Sequence, residues 1–160
     1  MATINLKSLV GKMNSVCRRG LEGAAGLCLS RTNYNVEIEH WLLKLLEASD
    51  TDLPRILQHF DIDTARVNTE LTKALDKLRT GNSRAPELSL DITELMKEAW
   101  SLSSLEYGGR LVRSGVLLAA LLNDRSLRSR IESSSPELAK IPAEQLQANL
   151  AKVVEGSSED

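Results

Sequence analysis

Few residues of this chain could act on a substrate, and their spacing denies most of them the partners that chemistry needs. His40 and His59 are the only histidines, and Cys17 and Cys28 the only cysteines. A zinc-binding helix needs two histidines one turn apart around a glutamate, and Glu39-His40 has no second histidine at that distance. Glu37 and Glu39 are two residues apart and fall on different faces of a helix, so they cannot work as a carboxylate pair. His40 instead fits a helix start, bonding nearby backbone. A phosphate loop needs a glycine five positions before its Gly-Lys step, and Leu6 stands there relative to Gly11-Lys12. Gly108-Gly109 falls in a turn between helices with no strand before it. Cys17 and Cys28 lie in one helical pattern, three turns and about 16 Å apart, too far for a disulfide. They fit as small buried hydrophobes. No catalytic, metal or cofactor constellation is expected in this domain.

Arg110, Arg113, Arg125, Arg128 and Arg130 are concentrated in one stretch, with Glu106, Asp124 and Glu132 among them. The mixture describes a solvated face, with an acidic partner as the lesser reading. A net charge of −2 and five aromatic residues offer neither the field nor the stacking platform that nucleic acid requires. The start of the chain has no basic, apolar signal segment, and the longest apolar run, Val116–Leu122, is far short of the ~20 residues of a membrane span. A cytoplasmic protein without membrane contact is expected.

Every long apolar pattern has helical spacing, which predicts an all-α fold. Leu6, Leu9, Val10 and Met13 form a first short amphipathic helix ending near Met13. Later helices are predicted over Ser15–Ser30, Glu37–Ala48, Pro54–Phe60 and Thr64–Leu78. After a connector rich in turn formers (79–87) come Ile92–Leu105, Ser114–Leu122, Ser126–Ile131 and Pro142–Val154. Trp41 and Trp100 both fall on apolar faces and are assigned to the core.

These helices are two copies of one segment, residues 14–80 and 89–155. At an offset of 75, Cys17 aligns with Ile92, Leu21 with Met96 and Ala24 with Ala99. After a one-residue slip to 76, Val36 aligns with Val112 and Leu45 with Leu121, and the offset returns to 75 for Leu71/Leu146, Leu75/Leu150 and Leu78/Val153. The last and first long helices of each copy are expected to pack together around those trios. The apolar pattern repeats while the polar residues differ, which suggests a docking surface rather than a catalyst. The first helix (within 1–13) has no counterpart in the second copy, where the matching positions fall in the connector. Residues 156–160, small and acidic, are expected to begin a linker.

Two copies of about 75 residues, each leading from a small-residue helix through a turn into a helix such as Ile38-Glu39-His40-Trp41-Leu42-Leu43-Lys44-Leu45-Leu46, resemble the N-terminal domain of the Clp family of ring-forming ATPase unfoldases. The resemblance covers about residues 14–155. The second copy departs from the motif, with Val116-Leu117-Leu118 at the helix start. Cys17–Thr32 followed by Tyr34 and Val36–His40, together with the leading helix Leu6–Met13, resemble the ClpV branch, which serves bacterial type VI secretion. The resemblance implies a hexameric ATPase whose ATP-binding modules lie beyond Asp160. This domain, itself non-catalytic and expected to be monomeric in isolation, would grip a helix of a sheath subunit so that contracted sheaths are disassembled and recycled.

The first helix must have its apolar stripe covered. Beside the small face of the second helix (Gly20, Gly23, Ala24, Ala25, Gly26) it would form a groove for a partner helix. The expected contacts are Leu6, Leu9, Val10 and Met13 on one wall, with Leu21, Ala24 and Ala25 nearby and Lys12 and Glu22 at the rim. The alternative is a general Clp N-domain that binds unfolded protein or a separate adaptor.

Overall fold

The computed structural model describes residues 5–160; residues 1–4, the start of the segment assigned to the extra helix, lie outside it. Among the described residues there are nine α-helices: α1 (Leu6–Gly11), α2 (Ser15–Ser30), α3 (Ile38–Glu47), α4 (Asp52–His59), α5 (Thr64–Asp76), α6 (Leu90–Glu106), α7 (Ser114–Asn123), α8 (Arg125–Ser134) and α9 (Ala143–Val153). A single 3₁₀ turn, Leu138–Lys140, precedes α9. Helices α2–α5 form the first repeat and α6–α9 the second. The fold is all-α, as the spacing predicts.

The repeat extends to the caps. Asn14 accepts from the Cys17 amide at 2.9 Å, and Ser89, its equivalent at offset 75, accepts from the Ile92 amide at 3.3 Å. Asp63 and Asp124 cap α5 and α8 in the same way. Each cap satisfies an amide that a helix start leaves without a partner.

Short extended pairings, unexpected from helical spacing, join the copies. β1 (Asn35–Val36) pairs in parallel with β2 (Glu87–Leu88), matching Val36 with Leu88, and an isolated bridge matches Met13 with Val112. Leu88 is the repeat equivalent of Met13 and Val112 that of Val36, so the two pairings exchange under the pseudo-twofold. Two residues are too few for an alternating pattern to be visible.

Leu71, Leu75, Leu146 and Leu150 are buried, and Leu78 and Val153 are half-buried, so the trios occupy matching environments. Their packing partner differs from the expected one: α5 packs on α3 and α9 on α7, not on the first long helix of each repeat. The reason is the apolarity of the third and seventh helices. Every residue from Ser114 to Leu122 is buried, so α7 must be surrounded, and α6, α9, α8 and α4 do so.

Two ionic clusters tie one repeat to the other. Arg130 of α8 reaches Glu39 at 2.6 Å, Glu37 at 3.0 Å and Asp91 at 2.7 Å, and Ser134 donates to Glu39. Arg113, before α7, grips the fully buried Asp52 of α4 with two bonds of 2.7 and 2.8 Å. Burial would raise the Glu39 carboxyl, but Arg130 and Ser134 outweigh it and hold the group below its ordinary value.

His40 is fully buried at the start of α3. Its Nδ1 accepts from the Glu37 amide at 2.9 Å, and its Nε2 faces Asn33 Oδ1 at 3.0 Å as a donor. Burial lowers its pKa to about 4; Glu39 opposes the shift while Arg31 and Arg130 add to it. The unfolded chain therefore binds a proton below about pH 6.5 that the folded chain refuses until about pH 4. Stability is expected to be intact above pH 6.5 and to fall by up to about 3 kcal/mol as pH drops toward 4. Urea midpoints between pH 7.5 and 4.5 check this. His40→Gln should flatten that slope; an equally steep slope in the variant contradicts the assignment.

Candidate partner-binding groove

Helix α1 is placed by both of its ends. Asn5 caps its start, accepting from the Lys7 amide at 2.9 Å. Past Gly11 the chain leaves the helix and Met13 bridges to Val112, with the Val112 amide donating to the Lys12 carbonyl (2.7 Å) and the Asn14 amide to the Val112 carbonyl (2.8 Å). The buried Leu9 turns α1 onto α6, the first helix of the other repeat. The Lys12 ammonium stands 4.6 Å from the centre of the Trp100 ring, a cation–π contact.

Between α1 and α6 lies an open, mainly apolar cavity of about 450 Å³. Ser8, Leu9 and Lys12 line it from α1, and Lys97, Glu98, Trp100 and Ser101 from α6. Glu98 and Ser101 also belong to a second depression of about 310 Å³ further along α6, where Leu102 and Leu105 meet Ala120 and Arg125. The two make a continuous strip down α6 from Lys97 to Glu106. Leu105 is 79% exposed on it.

The expected contact residues divide. Leu6 is 39% exposed on α1, Val10 is half-buried, and Leu9 and Met13 are buried against the body of the domain. Leu21 and Ala24 are buried in the face of α2 that packs on α3; Ala25 is half-buried and Glu22 exposed. The structure thus joins the α1 residues with α6, not with the small face of α2. Gly20 and Ala24 of that face are buried in the first repeat, while Gly23 and Ala25 are half-buried and Gly26 is exposed. A Cβ on Gly20 would come within 2.7 Å of Leu45 Cδ2 and 3.3 Å of Trp41 Nε1, so glycine there lets α3 approach. The cavity beside α1 is walled on its other side by α6, the repeat twin of α2.

Trp100, assigned to the core from its spacing, is half-buried and lines the groove. Its repeat equivalent is Ala25, and a tryptophan where the other copy keeps a half-buried alanine is bulk the shared core does not need. That mismatch was the available signal.

The arginine stretch is no free docking face. Arg113 and Arg130 are engaged in the ionic clusters, and Arg128 donates to the carbonyls of Leu122 and Ala139. Arg110 and Arg125 are the exposed members.

The sulfur groups are inert by placement. Burial, then the charges of Glu159 and Asp52, pushes the Cys17 thiol up; burial, then Glu37, raises Cys28. A thiol held protonated is a poor nucleophile. Among the described residues no group of three or more His, Cys, Asp or Glu side chains could hold a metal, and no helix is long and apolar enough to cross a membrane. The arrangement can bury an apolar stripe.

Comparison with known proteins matches the family and the fold. The family model for the Clp repeat (R) N-terminal domain matches residues 12–134. The chain is 35% identical over 160 residues to the AAA+ ATPase ClpV1 of Pseudomonas aeruginosa, covering all of this chain and 18% of that protein. A solved structure from work on the coevolution of the ATPase ClpV, the TssB–TssC sheath and the accessory HsiE protein superimposes with a TM-score of 0.95 at 35% identity, covering 100% of this chain and 99% of the other. A complex of a ClpV N-domain with a VipB peptide matches with a TM-score of 0.78 at 27% identity, covering 100% and 98%. The chain spans 18% of the length of the curated relatives it matches.

Proposed function

This chain belongs to the Clp repeat N-terminal domain family, and from that premise we propose that it is the sheath-recognition domain of a type VI secretion ATPase. One amphipathic helix of a sheath subunit lies in the groove between α1 and α6. The observation that carries this reading is the groove itself: a helix added outside the duplicated core, leaving an open apolar trough beside Trp100. A short helix gains affinity by burying one stripe of side chains at i, i+3, i+4 and i+7. The strip from Lys97 to Glu106 spans about 14 Å of α6, enough for two to three turns of a partner. Ser8 and Ser101 are small where backbones approach, and Lys12, Lys97 and Glu98 supply a charged rim. A ClpV N-domain of this fold has been solved with a VipB peptide, which supports peptide capture as the activity.

Of the residues expected from sequence, Leu9 lines this cavity, Leu6 and Val10 lie elsewhere on α1, Met13 anchors the helix through its bridge to Val112, and Leu21 and Ala24 are buried in α2. ATP binding belongs to modules beyond Asp160, which assemble as a cytoplasmic hexamer; the domain alone is a monomer that needs no cofactor.

Fluorescence anisotropy with a labelled sheath-subunit helix tests the reading. Ser8→Glu and Ser101→Glu each place a charge on the cavity lining, where the apolar stripe must settle, and each should weaken binding about tenfold or more. The variants should keep the wild-type helical spectrum and melting curve. Leu9→Glu is unsuitable, since Leu9 is 5% exposed and the charge would be buried in the fold. Wild-type affinity in both variants overturns the groove. Equal binding of a scrambled peptide favours the general reading, an N-domain that takes any exposed apolar segment.

A further inference from the structure

The segment expected to begin a linker is docked. Gly156 turns the chain with φ +85, a conformation that favours glycine. The Ser158 amide then donates to the Asp50 carbonyl at 2.7 Å, and Ser157, 5% exposed, donates to Asp52 Oδ1 at 2.6 Å. Asp160 pairs with Arg113 at 2.8 Å.

Glu159 does most. Its Oε1 accepts from Asn14 Nδ2 (3.0 Å) and the Ser114 amide (2.7 Å). Its Oε2 accepts from the Asp52 amide (2.8 Å) and the Ser114 hydroxyl. Asp52 opens α4 in the first repeat and Ser114 opens α7 in the second. Neither helix is capped by its own preceding residue, Thr51 or Arg113. One carboxylate therefore caps two helices of different repeats and also holds Asn14. That residue follows Met13 directly, and its amide bonds Val112 in the bridge from which α1 hangs. The other side-chain atom of Asn14, Oδ1, caps α2, so the amide group is fully committed.

We propose that the strap Ser157–Asp160 is a positioning element for α1, with Glu159 the residue that fixes the Met13–Val112 bridge and so the wall of the partner groove. The link to partner affinity rests on the groove reading; the link to α1 does not. Removing the carboxylate leaves four donors without their charged acceptor, at the point where α1 joins the body. A strap that leaves loosens the α1 wall, and a partner that needs that wall in place favours the docked strap, by reciprocal coupling.

Amide hydrogen exchange on the full chain tests this with Glu159→Ala and, independently, Asn14→Asp. The second variant keeps a side-chain acceptor for the α2 start but loses the donor and sets a like charge beside Glu159. Both should speed exchange at the Val112 and Asn14 amides by about tenfold or more, while Leu71 and Leu75 in α5 change much less. Affinity for the labelled sheath-subunit helix should fall severalfold in both. Unchanged exchange at Val112 and Asn14 overturns the proposal. So does equal acceleration at Leu71 and Leu75, which would make Glu159 a general stability residue. Failure of the wild-type chain to bind the helix would overturn the groove reading alone, leaving the exchange result to judge the strap.

Discussion

Trp41→Ala is expected to lower the unfolding free energy by about 3–5 kcal/mol, the usual range for emptying a large aromatic site in a core. Trp41 is 1% exposed, and its indole Nε1 donates to the Cys17 carbonyl at 3.0 Å. It stands where α2 and α3 pack most closely, with Gly20 admitting its ring edge. Collapse cannot fill the space, because α2 is already as near as its glycine permits. Trp41→Phe keeps much of the volume and loses the hydrogen bond, so it should cost less. Urea denaturation of the three proteins checks the order; a Trp41→Ala midpoint close to wild type contradicts the packing described.

Arg130→Met should be comparably damaging, by about 3–5 kcal/mol, because it strands carboxylates rather than removing a neutral contact. Glu39 is 4% exposed and Glu37 half-buried, and Arg130 is the cation both share. The double variant Arg130→Met, Glu39→Gln removes the worst of the stranded charge and should recover part of the loss. A double-mutant cycle then gives the coupling, expected to exceed about 1 kcal/mol for a buried charged pair. A coupling near zero means that Arg130 acts through its packing alone.

The duplicated core was legible in the sequence because burial leaves its mark at helical spacing. Leu71/Leu146 and Leu75/Leu150 align and occupy the same environment in each repeat. Helix starts were legible within about two residues, as at Asp63, a cap by residue type, whereas α8 runs on to Ser134, three residues past its predicted end. The partner of α1 was not legible. Its stripe shows that something covers Leu9, but the choice between α2 and its twin α6 depends on the Met13–Val112 bridge, a contact across about a hundred residues with no local signature. Gly20 and Ala24 signal close helix approach without saying which helix approaches. The arginines illustrate the same limit: Arg113 and Arg130 resemble surface charge until their carboxylates, distant in sequence, come into place. Glu159 was hidden by composition, since Gly-Ser-Ser-Glu-Asp has the make-up of a linker and becomes a strap only where two uncapped helix starts converge.

Partner docking between α1 and α6 is tested by a map of amide chemical-shift changes on the labelled chain as a sheath-subunit helix is added. Changes are expected to concentrate in Ser8–Lys12, from α1 and its C-cap, and in Lys97–Leu105 of α6, with α5 and α9 silent. Changes centred instead on α2 and α3, around Arg19, Gly23 and Lys44, or on the exposed Arg110 and Arg125, would contradict docking there.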